Sequence, residues 1–265
     1  MTAATGHDPA NSSGSANEAV GLPAAIQVCL FDLDGVLTQT AKVHAQAWKQ
    51  AFDAFLRENA TKTNASFVPF DEIKDYEEYV DGKPREDGVR DFLASRKITL
   101  PEGEPDDAAD KATVYGVGNG KNEIFNKLLE KGGLEPFEGS VRYVHAARKA
   151  GLRCAVVSSS ANTHAILKAV QLEDQFEAVV DGNDVREQHL HGKPAPDSFL
   201  AGAKALGVEP AHAVVFEDAL AGVAAGRAGK FGYVVGVDRL DQAEQLRQHG
   251  ADVVVEDLGD LLGKR

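Results

Sequence analysis

Cysteine is almost absent from this chain: Cys29 and Cys154 are the only two among its 265 residues. Two cysteines are too few for a disulfide framework or for a cysteine-rich zinc site. Both lie in apolar stretches, which favours buried and reduced thiols. The sequence also lacks an apolar stretch of the roughly 20 residues that a membrane-spanning helix needs. Its N-terminus lacks the basic and apolar regions of a secretory signal peptide, so we expect a cytoplasmic protein.

Positive charge is scarce as well, since 28 Lys and Arg residues face 41 Asp and Glu residues, for a net charge of −13. A surface of this sign disfavours non-specific binding to nucleic acid or to an anionic membrane. It is also unfavourable for an anionic substrate, unless a bound cation changes the local sign. The length of 265 residues suffices for a large hydrophobic core, in one large domain or two modest ones.

The composition changes twice along the chain. Residues 1–24 are polar and without periodicity, which is typical of a disordered tail. The apolar run Ile26–Phe31 then predicts a buried strand, and residues 41–132 show mainly helical spacing. Strands and helices alternate over the rest, as in a parallel sheet covered on both faces. We therefore predict an α/β fold, a doubly wound Rossmann-like parallel sheet (25–40 and 133–265) with an inserted, mainly α-helical domain.

Periodicity places the individual elements. In the insert it predicts helices over residues 41–57, 71–80, 85–96 and 121–131. After the insert it predicts strands at Arg153–Val157, Ala178–Val180, Ala213–Phe216, Tyr233–Val237 and Asp252–Val255. Each of these strands is preceded by a helix, which is the order of a doubly wound sheet.

Polar side chains follow three of the predicted strands. They are Asp32 and Asp34, then Ser158, Ser159 and Ser160, then Glu217 and Asp218. Ligands bind at the carboxyl ends of the strands in such sheets, so we expect these residues to converge, together with Lys193 from a loop. Taken singly, each has a structural alternative, such as a turn at Asp34–Gly35 or a helix cap at Ser160. Their common placement favours a functional site.

The chemistry that these residues suit is phosphoryl transfer through a carboxylate. Oxygen ligands for Mg²⁺ come from Asp32, Glu217 and Asp218. The Asp32 carboxylate is a candidate nucleophile toward phosphorus, and Asp34 is a candidate acid for the leaving oxygen. Ser158 and Lys193 are candidates for holding the non-bridging oxygens, where negative charge must be stabilised.

Four short motifs resemble those of the haloacid dehalogenase superfamily: Asp32–Thr38 (DLDGVLT), Ser158, Lys193 with Pro194, and Glu217 with Asp218. The second aspartate of the first motif is typical of the phosphotransferase branch. The resemblance extends from about residue 25 to the C-terminus, and the helical insert (41–132) matches the cap domain of that family. A more specific similarity, to the β-phosphoglucomutases, rests on Phe31–Val36, Thr40, His44, Ala47–Lys49, Gly82, Arg85–Asp87, Lys121, Asn122, Asn162 and Lys193–Asp197.

This resemblance implies a set of site residues and a reaction. The implied Mg²⁺ ligands are Asp32, Asp34 through its main-chain carbonyl, Glu217 and Asp218. The implied phosphate-binding residues are Ser158, Ser159 and Lys193. The implied substrate-binding residues are Thr40, His44, Trp48, Gly82, Arg85, Lys121, Asn122, Ser160 and Asn162. The implied reaction interconverts β-glucose 1-phosphate and glucose 6-phosphate through an aspartyl-phosphate, with glucose 1,6-bisphosphate as a further ligand, and we expect a monomer.

Some positions depart from the mutase pattern or allow another role. Asp81 and Ala161 stand where lysine is familiar in the mutases, and Gln39 replaces an acid of the first motif. Trp48 also has the spacing of a residue in the core of the cap. A sugar-phosphate phosphatase is therefore the alternative enzyme. A binding module without catalysis is disfavoured, because Asp32 and the other motif residues are all present.

Overall fold

The structure is a computed structural model that describes residues 16–131 and 134–263. Its strands are β1 (Val28–Phe31), β2 (Arg153–Val157), β3 (Ala178–Val180), β4 (Ala213–Glu217), β5 (Tyr233–Val237) and β6 (Val253–Val255). Its α-helices are α1 (Ala41–Thr63), α2 (Arg85–Ser95), α3 (Val114–Glu130), α4 (Glu138–Lys149), α5 (Thr163–Ala169), α6 (Gly182–Glu187), α7 (Asp197–Ala205), α8 (Leu220–Ala228) and α9 (Ala243–His249). A π-helical turn covers Tyr76–Val80, and short 3₁₀ turns cover Glu173–Gln175, Pro210–His212 and Leu258–Leu261.

The six strands form one parallel sheet in the order β3-β2-β1-β4-β5-β6. The chain therefore starts at the centre, runs to one edge through β2 and β3, and returns to fill the other half. This order confirms the predicted doubly wound, Rossmann-like α/β fold. It also places the ends of β1, β2 and β4 side by side, because Phe31 pairs with Val156 on one side and with Phe216 on the other.

Helices cover the sheet on both faces, and each face has its own apolar cluster. Phe31 and Tyr143 belong to one cluster, and Leu30 and Phe199 belong to the other. Strands buried on both faces need apolar side chains at every position, which the run Val28–Phe31 provides. No helix within the described residues is both long and apolar enough to cross a membrane.

The inserted segment has a third apolar cluster. Phe52 is fully buried there and contacts Phe70 and Phe92, with ring centroids 5.3 and 4.2 Å away. Helices α1, α2 and α3 enclose this cluster, which is separate from the two that cover the sheet. A separate core is what an inserted cap domain requires. The division at residues 41 and 132 stays a prediction, and residue 132 lies outside the described part.

Several elements differ from the prediction. Helix α1 ends at Thr63 rather than at residue 57. The structure begins α3 at Val114 rather than at residue 121, because the Thr113 side chain accepts a hydrogen bond from the amide of Gly116 and caps the helix. The predicted helix over 71–80 is only the π-helical turn Tyr76–Val80. Helix α6, over Gly182–Glu187, was not predicted, and Asp181 caps it with its side chain.

Part of the predicted disordered tail is packed. Its residues 1–15 lie outside the described part of the chain, but the part that follows is packed. Val20 and Leu22 are buried, and the Asn17 amide donates to the carbonyl oxygens of Pro23 and Ile26 at 3.0 and 2.8 Å. The Tyr143 hydroxyl donates to the carbonyl of Val20. Composition did not predict this packing, because Val20 and Leu22 contribute little to the average composition of a polar segment.

Candidate active site

Asp32 follows β1 directly and sits at the centre of the sheet edge. Its amide donates to the Phe216 carbonyl at 2.9 Å, which extends the pairing of β1 with β4 by one residue. The ammonium of Lys193 donates to the carboxylates of Asp32 and Glu217 at 2.5 and 2.6 Å. Burial opposes the charge of Lys193, but the two carboxylates outweigh it and hold its pKa above the ordinary value. The three groups therefore form a fully buried ion network.

Asp218 completes an acidic cluster with Asp32 and Glu217. One carboxylate oxygen from each lies within 4.8 Å of the other two, and all three residues are buried. Burial first, and then repulsion between the carboxylates, raises the pKa of Asp32 and of Asp218 well above the usual range. Hard oxygen donors at this spacing fit Mg²⁺, which would reverse that unfavourable charge. The predicted trio is thus brought together in the structure.

Gly35 makes the close approach of Asp218 possible. Its φ is +85°, and a Cβ atom at this position would lie 1.7 Å from the Asp218 Oδ2 atom. A side chain is therefore excluded by contact as well as by conformation. The Gly35 carbonyl also accepts a hydrogen bond from the Arg239 Nε atom at 2.8 Å, which fixes the turn beneath the cluster.

We expect Gly35→Ala to lower catalytic turnover by roughly 100-fold, because the methyl group must displace the Asp218 carboxylate. Gly151→Ala is the matched control, since Gly151 has a similar φ of +88° and no neighbour within 4 Å of an added Cβ. Both variants should lose stability from the positive φ. Steady-state kinetics and thermal unfolding separate the two effects. Equal turnover in the two variants would contradict the assigned role of the contact.

The Asp34 carboxylate turns away from the acidic cluster. It accepts a hydrogen bond from the Thr40 hydroxyl, and its Oδ1 atom lies 3.4 Å from the His44 Nε2 atom. Thr40 is itself held by the Thr38 hydroxyl at 2.9 Å. Asp34 therefore does not offer its side chain to the cluster that Asp32 joins. The two aspartates, two positions apart, have different surroundings and can perform different tasks.

A buried lysine extends this arrangement. The Lys121 Nζ atom lies 2.6 Å from the His44 Nδ1 atom, although the two residues are 77 positions apart. Burial lowers the pKa of Lys121 to about 7, and burial together with Lys121 lowers the pKa of His44. Burial alone raises the pKa of Asp34, but His44 and Thr40 outweigh it and the pKa lies below the ordinary value. Sequence reasoning predicted these residues singly but not their contact.

A cleft of about 810 Å³, open mouth included, lies between the sheet edge and the inserted helices. Two hydrogen bonds cross it: the Ser159 hydroxyl donates to the Gly82 carbonyl, and the Asn162 amide donates to the Asn122 side-chain oxygen, both at 2.9 Å. Pro84 also packs against Gly192, where an added Cβ atom would be 2.1 Å from a ring carbon. The inserted helices therefore lie closed against the core.

The cleft brings most of the predicted site residues together. Those that line it are Asp32, Asp34, His44, Trp48, Gly82, Arg85, Lys121, Asn122, Ser158, Ser159, Ser160, Asn162 and Asp218. Three predicted residues lie beneath or behind its wall: Thr40, Lys193 and Glu217 are buried and do not line it. The structure thus gives Thr40 the task of holding Asp34, where a substrate contact was expected.

Two residues that were predicted to bind the substrate contact neighbouring side chains in the structure. The Arg85 guanidinium donates to the Glu86 carboxylate through two nitrogens, at 3.1 and 3.0 Å. Trp48 stacks on Phe52 with ring centroids 4.9 Å apart, so it belongs to the cap core as well as to the cleft wall.

Sequence reasoning missed several lining residues. They are Tyr76, Val80, Lys83, Pro84, Gly182 and Arg186, together with Glu86, which was named only within the mutase-like stretch Arg85–Asp87, and Asp81 and Ala161, which were noted only as departures. Burial first, and then Glu217, raises the pKa of Asp81 to about 7. Among these residues, only the direct neighbours of motif residues could have been predicted from the sequence. The others line the cleft because the fold brings them there.

Comparison with known proteins gives four findings. The family model for haloacid dehalogenase-like hydrolases matches residues 26–230. A β-phosphoglucomutase of Mycobacterium bovis is 58% identical over 92% of this chain and 94% of its own length. A validoxylamine A 7'-phosphate phosphatase of Streptomyces hygroscopicus subsp. limoneus is 29% identical over 89% of this chain and 95% of its own length. The crystal structure of a hydrolase from Pseudomonas syringae superposes with a TM-score of 0.71 at 26% identity, covering 89% of this chain and 96% of the other.

Proposed function

The chain belongs to the haloacid dehalogenase-like hydrolase family, and on this premise we propose that it is a Mg²⁺-dependent phosphohexomutase. Its proposed reaction interconverts β-glucose 1-phosphate and glucose 6-phosphate through an aspartyl-phosphate. The observation that carries the proposal is the pair Asp32 and Asp34, whose carboxylates line one cleft but have different neighbours. Asp32 belongs to the acidic cluster, and Asp34 accepts a hydrogen bond from Thr40. The 58% identity to a β-phosphoglucomutase supports this choice of reaction. The expected monomer stays a prediction.

The acidic cluster is the proposed Mg²⁺ site. Asp32, Glu217 and Asp218 would hold the ion, and the resemblance adds the main-chain carbonyl of Asp34. When bound, Mg²⁺ would offset the repulsion between the carboxylates and polarise the phosphoryl group. The residues fit this task because they are buried, acidic and within 4.8 Å of one another.

The proposed chemistry uses the two aspartates in turn. A carboxylate oxygen of Asp32 forms a bond to phosphorus while the bond from phosphorus to the sugar oxygen breaks, and Asp34 gives that oxygen a proton. In the second half, another sugar hydroxyl gives its proton to Asp34 and takes the phosphoryl group from Asp32. The lowered pKa of Asp34 leaves its carboxylate ionised, as this proton-accepting half requires. Ser158 is the proposed ligand of the non-bridging oxygens. The Lys193 ammonium contacts the Asp32 carboxylate and would neutralise part of the negative charge there.

A mutase must also keep water away from the aspartyl-phosphate while the sugar reorients in the cleft. The hydrogen bonds from Ser159 to Gly82 and from Asn162 to Asn122 support this requirement, since each joins the core to the cap across the cleft. Arg85 is the proposed cap ligand for the second phosphate, because its planar fork suits phosphate oxygens.

A sugar-phosphate phosphatase is the second candidate. The observation that favours it is Asp81, a half-buried carboxyl group of the cleft wall near Glu217 and Asp218, at a position where lysine is familiar in the mutases. The phosphatase relative at 29% identity supports this alternative. The motif residues are complete in either case, and an enzyme is supported over a silent binding module.

One assay separates these candidates. The protein is incubated with Mg²⁺, β-glucose 1-phosphate and a trace of glucose 1,6-bisphosphate, and glucose 6-phosphate and free phosphate are measured together. We expect isomerisation to exceed phosphate release. Phosphate release in excess would overturn the mutase and leave the phosphatase. No turnover of any phosphorylated sugar would overturn both.

A further inference from the structure

Arg186 lines the cleft from the core side, on the short helix α6. The first residue of this helix, Gly182, packs against the loop that follows β2, since an added Cβ would lie 2.5 Å from the Ser159 carbonyl oxygen and 2.9 Å from the Ala161 nitrogen. Arg186 is one helical turn further and so lies on the same face of the helix. The helix therefore brings this arginine alongside the serine loop of the proposed phosphate site.

Asn183 makes one hydrogen bond with the exposed side chain of Arg186. The Asn183 oxygen accepts a hydrogen bond from the Arg186 Nη2 atom at 2.9 Å, and its amide group donates to the Ala161 carbonyl at 3.2 Å. Asp181 caps the helix through the amides of Asn183 and Asp184. The guanidinium is thus tied through one amide side chain to the loop that follows β2.

Arg186 differs from the other cations of the cleft in its partners. Lys83 pairs with Asp91 at 2.6 Å and Arg85 pairs with Glu86 at 3.0 Å. Lys121 is buried against His44, and its pKa of about 7 leaves it a weak cation. Within residues 16–131 and 134–263, Arg186 has no carboxylate at ion-pair distance, and its partner is a neutral amide. Most of its donors therefore stay available to an anion that enters the cleft.

We propose that Arg186 binds the second phosphate of a sugar bisphosphate from the core side of the cleft, together with Arg85 of the cap, which lines the same cleft. The inference rests on the proposed function, which places the first phosphate at Asp32. A guanidinium recognises phosphate through parallel N–H donors, so two arginines from two domains share one dianion. The second phosphate then joins cap and core. A sugar with a single phosphate at Asp32 lacks this link.

The test measures binding rather than turnover. Glucose 1,6-bisphosphate is titrated by calorimetry, in the presence of Mg²⁺, into the Asp32→Asn variant, which cannot accept the phosphoryl group. Adding Arg186→Ala should weaken the affinity by roughly 10- to 100-fold, the usual range for a hydrogen bond to a charged group. Arg186→Lys should recover part of the loss, because it keeps the charge without the planar fork.

The control is Arg247→Ala in the same Asp32→Asn background. Arg247 is exposed on α9 and pairs with Glu244 of the same helix at 3.7 Å. It should leave the affinity for glucose 1,6-bisphosphate unchanged. Equal affinities with and without Arg186→Ala would overturn the inference and leave the proposed function standing. Absence of bisphosphate binding both to the Asp32→Asn parent and to the unsubstituted protein would overturn both.

Discussion

Asp32→Asn is expected to lower turnover of β-glucose 1-phosphate by roughly 10⁴-fold or more, the usual cost of removing a nucleophile. The amide oxygen of asparagine is a poor nucleophile toward phosphorus and a weak ligand for Mg²⁺, so one substitution removes two proposed functions. The shape of the side chain is retained, and the backbone hydrogen bond to Phe216 does not involve it. Steady-state isomerase and phosphatase assays on the purified variant measure the loss.

The comparison for this variant is Asp174→Asn, an exposed aspartate of the 3₁₀ turn Glu173–Gln175. It makes the same chemical change outside the cleft and should keep full turnover. The two variants should also unfold within a few degrees of each other, which excludes misfolding as the cause of any loss. If Asp32→Asn kept a tenth of the parent activity, the aspartyl-phosphate proposal would be wrong.

Lys193→Ala is expected to destabilise the fold by about 3–5 kcal/mol, the usual cost of removing one partner from a buried ion network. Lys193 is 2% exposed, and its ammonium contacts the carboxylates of Asp32 and Glu217. Without it, these two buried carboxylates lose the cation that they contact, and the buried Asp218 stays beside them. Urea unfolding at neutral pH measures the change in the free energy of unfolding.

Magnesium makes this second prediction specific to the acidic cluster. A dication at Asp32, Glu217 and Asp218 would replace part of the missing charge, so added MgCl₂ should stabilise Lys193→Ala more than the parent protein. Lys204→Ala, at an exposed position near the end of α7, should change stability by less than about 0.5 kcal/mol. A loss below 1 kcal/mol in Lys193→Ala, or an equal effect of Mg²⁺ on both proteins, would contradict the described ion network.

The strands and their polar ends could be predicted from the sequence. Fully buried strands need continuous apolar runs, and Val28–Phe31, Arg153–Val157 and Ala213–Glu217 have them, so their ends could be aligned before any coordinate was known. The carboxyl-end rule then placed Asp32 and Asp218 together, as the structure does. The resemblance to a known family supplied the cap residues, which periodicity alone left as ordinary helix positions.

Helix ends and turns could not be predicted as well. The start of α3 depends on one hydrogen bond from Gly116 to Thr113, and three glycines in its first turns concealed it. The order around Val20 depends on Tyr143, more than one hundred positions later in the chain. Such effects arise from tertiary contacts, which local composition does not indicate.

The sequence by itself determined the sheet, the insert and the four carboxylates at the strand ends, because burial and strand polarity act on neighbouring residues. Only the tertiary structure decided how those groups are used. It placed Lys193 beneath Asp32, turned Asp34 toward His44 and Lys121, and brought Arg186 into the cleft. Each of these contacts joins residues from distant elements. The physical reason is that the environment of a charge depends on what folds around it, and that includes parts of the chain far away in sequence.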